Sequence, residues 1–171
     1  MGFYFYIYII MDCVLDGLYI GGITEAKNIE LLKAHKITHI LIVAKHIYPS
    51  FPESFKYKAI PADDVAFFDL SKYFNGSVDF IDKGRSHGNV FVHCAAGISR
   101  SSAIVVCYVM CKKGIPYSKA YEYVRGKHII ACPNSGFVTQ LKNYEKEIIK
   151  KRAQTSHSPK KNYYLSSLDV I

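Results

Sequence analysis

The residues best suited to covalent chemistry in this chain stand close together. Cys94 follows the apolar run Asn89-Val90-Phe91-Val92-His93, and Arg100 comes after little but small residues: Ala95, Ala96, Gly97, Ile98 and Ser99. Hydroxyl groups crowd the arginine at Ser99, Ser101 and Ser102. If Cys94 closes a buried strand and Ser101 opens a buried helix, the residues between form a tight strand–loop–helix turn. In an α/β sheet the ligand crevice lies at that edge. Small side chains let backbone N–H groups converge on one small cavity, and N–H donors at a helix N-terminus bind anions. Arg100 adds a planar fork that matches two phosphate oxygens. A helix terminus and an arginine both favour a thiolate over a thiol. Arginine cannot serve as the base, so these electrostatics must preform the nucleophile. The chemistry that fits is attack by Cys94 on phosphorus.

The elements that must position these groups are legible around them. Residues 17–22 read as a short strand between glycines. Thr24 is placed to cap a helix to about His35, with Ala26, Ile29, Leu31 and Leu32 facing inward. Residues 39–43 form a continuous apolar run, as in a strand buried on both faces. Residues 57–60 make another strand, stopped by Pro61, and 62–69 a loop carrying Asp63, Asp64 and Asp69. Asp69 or Ser71 is placed to cap a helix that buries Tyr73, Phe74, Val78 and Ile81 and ends near Gly84. Residues 101–113 are apolar on all sides, which belongs at the centre of a domain. Gly114 and Pro116 stop that helix. Ser118 is placed to cap another to about Arg125, and a last helix starts near Ser135 with an inward stripe of Phe137, Leu141, Tyr144 and Ile148. The alternation predicts an α/β fold: a central, mostly parallel (mixed) sheet of about five strands flanked by helices.

The length of 171 residues suggests one domain, large enough to bury a core without disulfide staples. The expected organisation is an N-terminal extension over 1–11, a catalytic domain over 12–150 and a basic, flexible tail over 151–171. With 50% hydrophobic and 21% charged residues the composition is that of a globular protein. The net charge of +8 favours anionic partners without choosing among phosphates, nucleic acid and membrane surface. Five cysteines at irregular spacing, with no C-x-x-C pair, suggest neither a disulfide framework nor a structural zinc. They point to a reducing compartment, cytoplasmic or nuclear. The stretch GFYFYIYII is too short to span a bilayer and lacks the marks of a signal peptide. Tyr6 breaks a myristoylation motif at Gly2. The stretch reads as an edge strand, an aggregation-prone segment, or, preferred here, sequence upstream of a start at Met11.

His93-Cys94-Ala95-Ala96-Gly97-Ile98-Ser99-Arg100-Ser101 resembles the H-C-x5-R-S/T signature of the cysteine-based protein tyrosine phosphatases, and its AGxSRS form resembles the dual-specificity subgroup. LDGLYIGG, followed by an Ala, an Asn and ITHIL, resembles the opening strand, helix and second strand of that family. IPADD with DLSKYF resembles its general-acid loop and following helix, and PNSGFVTQL its late PNxGFxxQL segment. Together the motifs cover about Leu15 to Tyr144. The resemblance implies the cysteine-based phosphatase fold and a role for each matched residue. Cys94 would be the nucleophile. Arg100 and the amides of Ala95, Ala96, Gly97, Ile98, Ser99 and Arg100 would hold the phosphate oxygens. Ser101 would assist Cys94 as it leaves, and Asp64 would be the general acid and then base, with Asp63 a rival and Asp69 a distant one. Asn134 would brace the loop, and His93 would help set the thiolate. No metal or other cofactor is implied. Two departures stand out: the segment KHIIACPN, where the family often carries Arg-Pro, and the hydrophobic run Val65-Ala66-Phe67-Phe68, which would line a groove or pack.

The leading expectation is a phosphatase acting on phosphotyrosine and phosphoserine or phosphothreonine in a phosphorylated protein, with no obligatory nucleic acid and no transmembrane segment. The oligomeric state is open. A phosphoprotein-binding pseudophosphatase is the first alternative, which the presence of Cys94, Arg100 and an acid disfavours. A phosphatase for RNA or lipid phosphates is the second; no lysine lies in the loop to suit a highly charged inositol headgroup. Cys107 and Cys111 read as core, and Cys132 as a structural residue near the site. His35, His39 and His46 read as ordinary surface or core residues.

Overall fold

Val90, Phe91 and Val92 sit in the middle of the sheet. The computed structural model describes residues 11–156, with side chains through residue 150. Five strands, β1 (Asp12–Leu15), β2 (Leu18–Gly21), β3 (Ile37–Val43), β4 (Lys56–Ile60) and β5 (Asn89–His93), lie in the order β1-β2-β5-β3-β4. β5 pairs in parallel with β2 and β3, β3 with β4, and β1 joins β2 antiparallel. The helices are α1 (Ile23–Ala26), α2 (Ile29–Ala34), α3 (Phe74–Arg85), α4 (Arg100–Lys113), α5 (Tyr117–Lys127) and α6 (Ser135–Ser156).

Side chains of the central strands alternate between two apolar layers, the period-2 geometry of a strand. Val90 and Val92 pack with α3, α4, α5 and α6, whereas Phe91 and Cys94 pack on the other face with Ala26, Leu32, Ile40 and Ile42. Every side chain from Ser101 to Met110 is buried, as an all-round apolar helix requires. Each large aliphatic side chain so buried stabilises the fold by roughly 1.5–3 kcal/mol relative to exposure. Gly114 ends α4 in the left-handed region at φ 65°, where its lack of a Cβ costs nothing.

The boundaries differ from expectation where distant groups intervene. β1 is too short to show an alternation by itself; it forms as the far arm of a hairpin turning at Gly17, φ 72°. The single helix expected from Thr24 to His35 is two. Asn28 restarts it, its side chain accepting from the Leu31 amide at 3.0 Å, and Thr24 lies within α1 instead of capping it. α5 begins after Pro116, not at Ser118, because the Glu145 carboxylate of α6 accepts from the Tyr117 amide at 3.1 Å. Asp69 accepts from the amide and hydroxyl of Ser71, and a 3-10 turn over Ser71–Tyr73 precedes α3. α6 continues to Ser156, past the expected start of the tail at 151. The readings made for residues 1–10 and 157–171 lie outside the described residues.

Candidate active site

β5 delivers Cys94 to the carboxyl edge of the sheet, and α4 starts at Arg100, so residues 94–99 form the turn between them. Four of the loop's carbonyls are tied to groups outside the loop. Ala95 accepts from the Ile23 amide at 2.9 Å, Ile98 from the Cys132 amide at 2.8 Å and Ser99 from the Ala103 amide at 2.9 Å. The Gly97 carbonyl accepts from the Ser102 hydroxyl at 3.3 Å and from His128 Nε2 at 2.8 Å. In a trans peptide the N–H points opposite to the preceding C=O. The amides of Ala96, Ile98, Ser99 and Arg100 therefore turn to the loop's concave side, where they make an anion-binding nest. Gly97 allows this shape. Its φ is 76°, and a Cβ there would lie 2.8 Å from the Gly21 carbonyl carbon.

Cys94 forms the floor, 1% exposed, with its Sγ 3.3 Å from the Ser101 hydroxyl. Asp64 reaches over the loop from the β4–α3 connection. Its Oδ1 accepts from Ser99 Oγ at 2.7 Å and from Asn134 Nδ2 at 2.9 Å, and Ser99 Oγ in turn accepts from the Asn134 amide at 3.0 Å. Asn134 also caps α6, its Oδ1 accepting from the Phe137 amide at 3.0 Å. Arg100 Nη1 donates to the Ala62 carbonyl at 3.2 Å. Its Nε lies 3.5 Å from Asp64 Oδ2, close enough for an ion pair yet outside hydrogen-bond geometry. Among the described residues it is the one buried side-chain polar atom without a hydrogen bond, a donor that a bound oxyanion would satisfy.

The rival acids sit elsewhere. Asp63 pairs with Lys45 at 3.5 Å, both about half exposed, and Asp69 bonds to Ser71, whose hydroxyl holds the Asp69 carboxyl below its ordinary range. His93 ends β5 directly before Cys94. It is 1% exposed, stacks on Phe91 and donates from Nδ1 to the Cys94 carbonyl at 3.1 Å. Burial pushes its pKa down to about 4, so at neutral pH it is an uncharged ring that orients the Cys94 peptide and supplies no cationic charge to a thiolate. Cys107 is fully buried, and burial raises its thiol well above the ordinary value, as suits an inert core residue. Cys132 is exposed beside the loop, which it joins through its amide. Of the hydrophobic run in the acid loop, Phe67 is exposed while Phe68 packs against the core.

Residues 18–147 match the family described as dual specificity phosphatase, catalytic domain. The chain belongs to that family. It is 46% identical over 136 residues to dual specificity protein phosphatase 1B of Arabidopsis thaliana, covering 79% of this chain and 81% of the relative. The solved structure of DUSP15 superposes with a TM-score of 0.78 at 34% identity, covering 87% of this chain and 97% of that one. The human tyrosine phosphatase-like serine/threonine/tyrosine-interacting protein gives a TM-score of 0.78 at 35% identity, covering 81% and 97%. As a dual specificity phosphatase the chain is a protein phosphatase, in a mixed five-stranded cysteine-phosphatase fold.

The sequence left three supporting residues unnoticed. Gly22, whose Cβ would lie 2.9 Å from the Ala95 carbonyl oxygen, lets α1 approach the loop. Buried Glu25 accepts from the Gly22 amide at 2.7 Å. His128 holds Gly97. Gly22 and His128 left a trace, in the motif LDGLYIGG and in the departure KHIIACPN, and Glu25 left none.

Proposed function

We propose a role for each residue that the fold gathers at this loop. The Cys94 thiolate attacks phosphorus in line, forming an S–P bond as the ester P–O bond breaks. Asp64 gives its proton to the departing oxygen. The ionised Asp64 then takes a proton from water as that water attacks phosphorus; the S–P bond breaks, inorganic phosphate leaves and the thiolate is restored. Ser101 donates a hydrogen bond to the departing sulfur. The inward amides and Arg100 hold the equatorial oxygens, stabilising charge where it develops. Asn134 and Ser99 fix Asp64 over the floor, and neutral His93 orients the Cys94 peptide. No metal has a part in this scheme. The observation that carries the reading is the single hydrogen-bonded cluster of Asp64, Ser99 and Asn134 above the Cys94–Ser101 pair.

The substrate is a phosphorylated side chain of a protein, tyrosine as well as serine or threonine. A reducing compartment, cytoplasm or nucleus, fits because the nucleophile must stay a thiol. The test is hydrolysis of an aryl phosphate and of phosphotyrosine and phosphothreonine peptides with EDTA present. Wild type turns over, Cys94→Ser does not, and Asp64→Asn loses about 10²–10⁴-fold. Turnover that survives Cys94→Ser overturns the reading. Phosphopeptide binding without turnover by wild type supports a binding module instead.

A further inference from the structure

Behind the phosphate loop, outside the reacting groups, His128 is completely buried on the segment joining α5 to α6. Its Nδ1 lies 2.6 Å from Asp12 Oδ2 on β1, and its Nε2 lies 2.8 Å from the Gly97 carbonyl oxygen. A carboxylate and a carbonyl are both acceptors. A neutral imidazole has one N–H and would leave its second nitrogen lone pair facing an oxygen lone pair at under 3 Å; an imidazolium donates to both. The Asp12 side chain is 33% exposed, whereas the ring is completely buried. Asp12 is the one charged group among the described residues that bonds the ring. Arg125 and Tyr121, on the neighbouring α5, bond instead at the Ala131 carbonyl.

The consequence falls on the loop. Holding the Gly97 carbonyl outward holds the next amide, that of Ile98, toward the phosphate. The same contact sets a positive charge directly behind the anion nest. The second bond to that carbonyl, from Ser102, is longer at 3.3 Å and uncharged. The Gly97 peptide is thus clamped between Gly21 on one side and His128 on the other.

We propose that His128, held as an imidazolium by Asp12, is a positioning residue of this phosphatase: it fixes the Gly97–Ile98 peptide so that the Ile98 amide meets the phosphate, and it supplies buried positive charge to the oxyanion site. The proposal rests on residues 94–100 being the phosphate cradle. It accounts for the departure at KHIIACPN by giving the histidine both of its nitrogens' partners.

The experiment compares wild type with His128→Ala, His128→Arg and Asp12→Asn. The readouts are kcat/KM on an aryl phosphate, competitive inhibition by inorganic phosphate, and the ring N–H resonances of His128 by NMR. Losing one charge-assisted hydrogen bond behind the cradle lowers kcat/KM about ten- to hundredfold in His128→Ala, with phosphate inhibition weakened in parallel. His128→Arg, which keeps two donors and the charge, restores part of both. The wild-type ring shows two slowly exchanging N–H signals. Should His128→Ala fail to fold, Asp12→Asn, which keeps the ring and its volume, shows a smaller loss of the same kind. Folded variants with kcat/KM and phosphate inhibition within about twofold of wild type, or a wild-type ring with a single N–H, overturn the proposal. Absence of wild-type turnover would instead strike the reading of the cradle itself.

Discussion

His93 is buried beside Cys94, where burial disfavours a charged ring. Its pKa is about 4 in the folded chain against an ordinary value of 6.5. Between those values the unfolded chain binds the proton and the folded chain does not, so stability rises with pH across this window. The contribution is full above pH 6.5 and is lost as pH falls toward 4, amounting to roughly 3 kcal/mol at most. The expected outcome for His93→Asn, which keeps a donor for the Cys94 carbonyl, is a smaller gap between unfolding free energies at pH 7 and at about pH 4.5, by about 2 kcal/mol. Urea titrations at both pH values measure it; an unchanged gap means that the acid sensitivity comes from other groups. Nothing local marks His93 as neutral. That follows from the burial of its ring, which the neighbouring sequence does not specify.

At the scale of elements, the acid loop depends on the start of α6. A Cβ on Gly136 would fall 1.8 Å from the Ala66 carbonyl oxygen, so the loop rests directly on the helix backbone. Gln140, one turn on, accepts from the amides of Leu70 and Ser71 and donates to the Phe68 carbonyl at 2.8 Å. Gly136→Ala pushes the loop away and takes Asp64 with it, while the Cys94 loop stays in place. A misplacement near 1 Å can cost about 10²-fold in rate. The loss is expected to be large for esters with poor leaving groups, which need the acid, and small for those that leave unaided. A series of aryl phosphates of graded leaving-group pKa measures this. A uniform loss across the series would show that the substitution damaged the cradle instead. The PNxGFxxQL resemblance pointed to this segment, but its bearing on residues 62–69 is visible only once the two are packed.

For the whole molecule, the net charge of +8 sets a field that small contacts do not. Raising salt from about 0.05 to about 0.5 M shortens the Debye length severalfold and screens it. The kcat/KM for a phosphopeptide with acidic flanks is expected to fall severalfold more than that for one with basic flanks. Steady-state rates on a matched peptide pair test this, and a ratio indifferent to salt removes the field from substrate selection. The fold sets the reacting groups at one edge of the sheet. β5 stands between β2 and β3, so Cys94 emerges at mid-sheet, flanked by the β2–α1 turn and the β4–α3 loop.

The cysteine–arginine loop, its buried strand and its buried helix were legible from sequence alone, because apolar runs and small-residue turns are local patterns read within a few residues. The family resemblance added the order of the remaining motifs and the choice of Asp64. Other features waited for the tertiary structure. Asp63 is drawn off by Lys45, His93 is neutral, Glu145 caps a helix it does not belong to, and Asp12 meets His128 across a separation of 116 residues. Each of these depends on which distant side chains share one buried volume. There the dielectric is low and polar partners must be matched, a condition that no local pattern encodes.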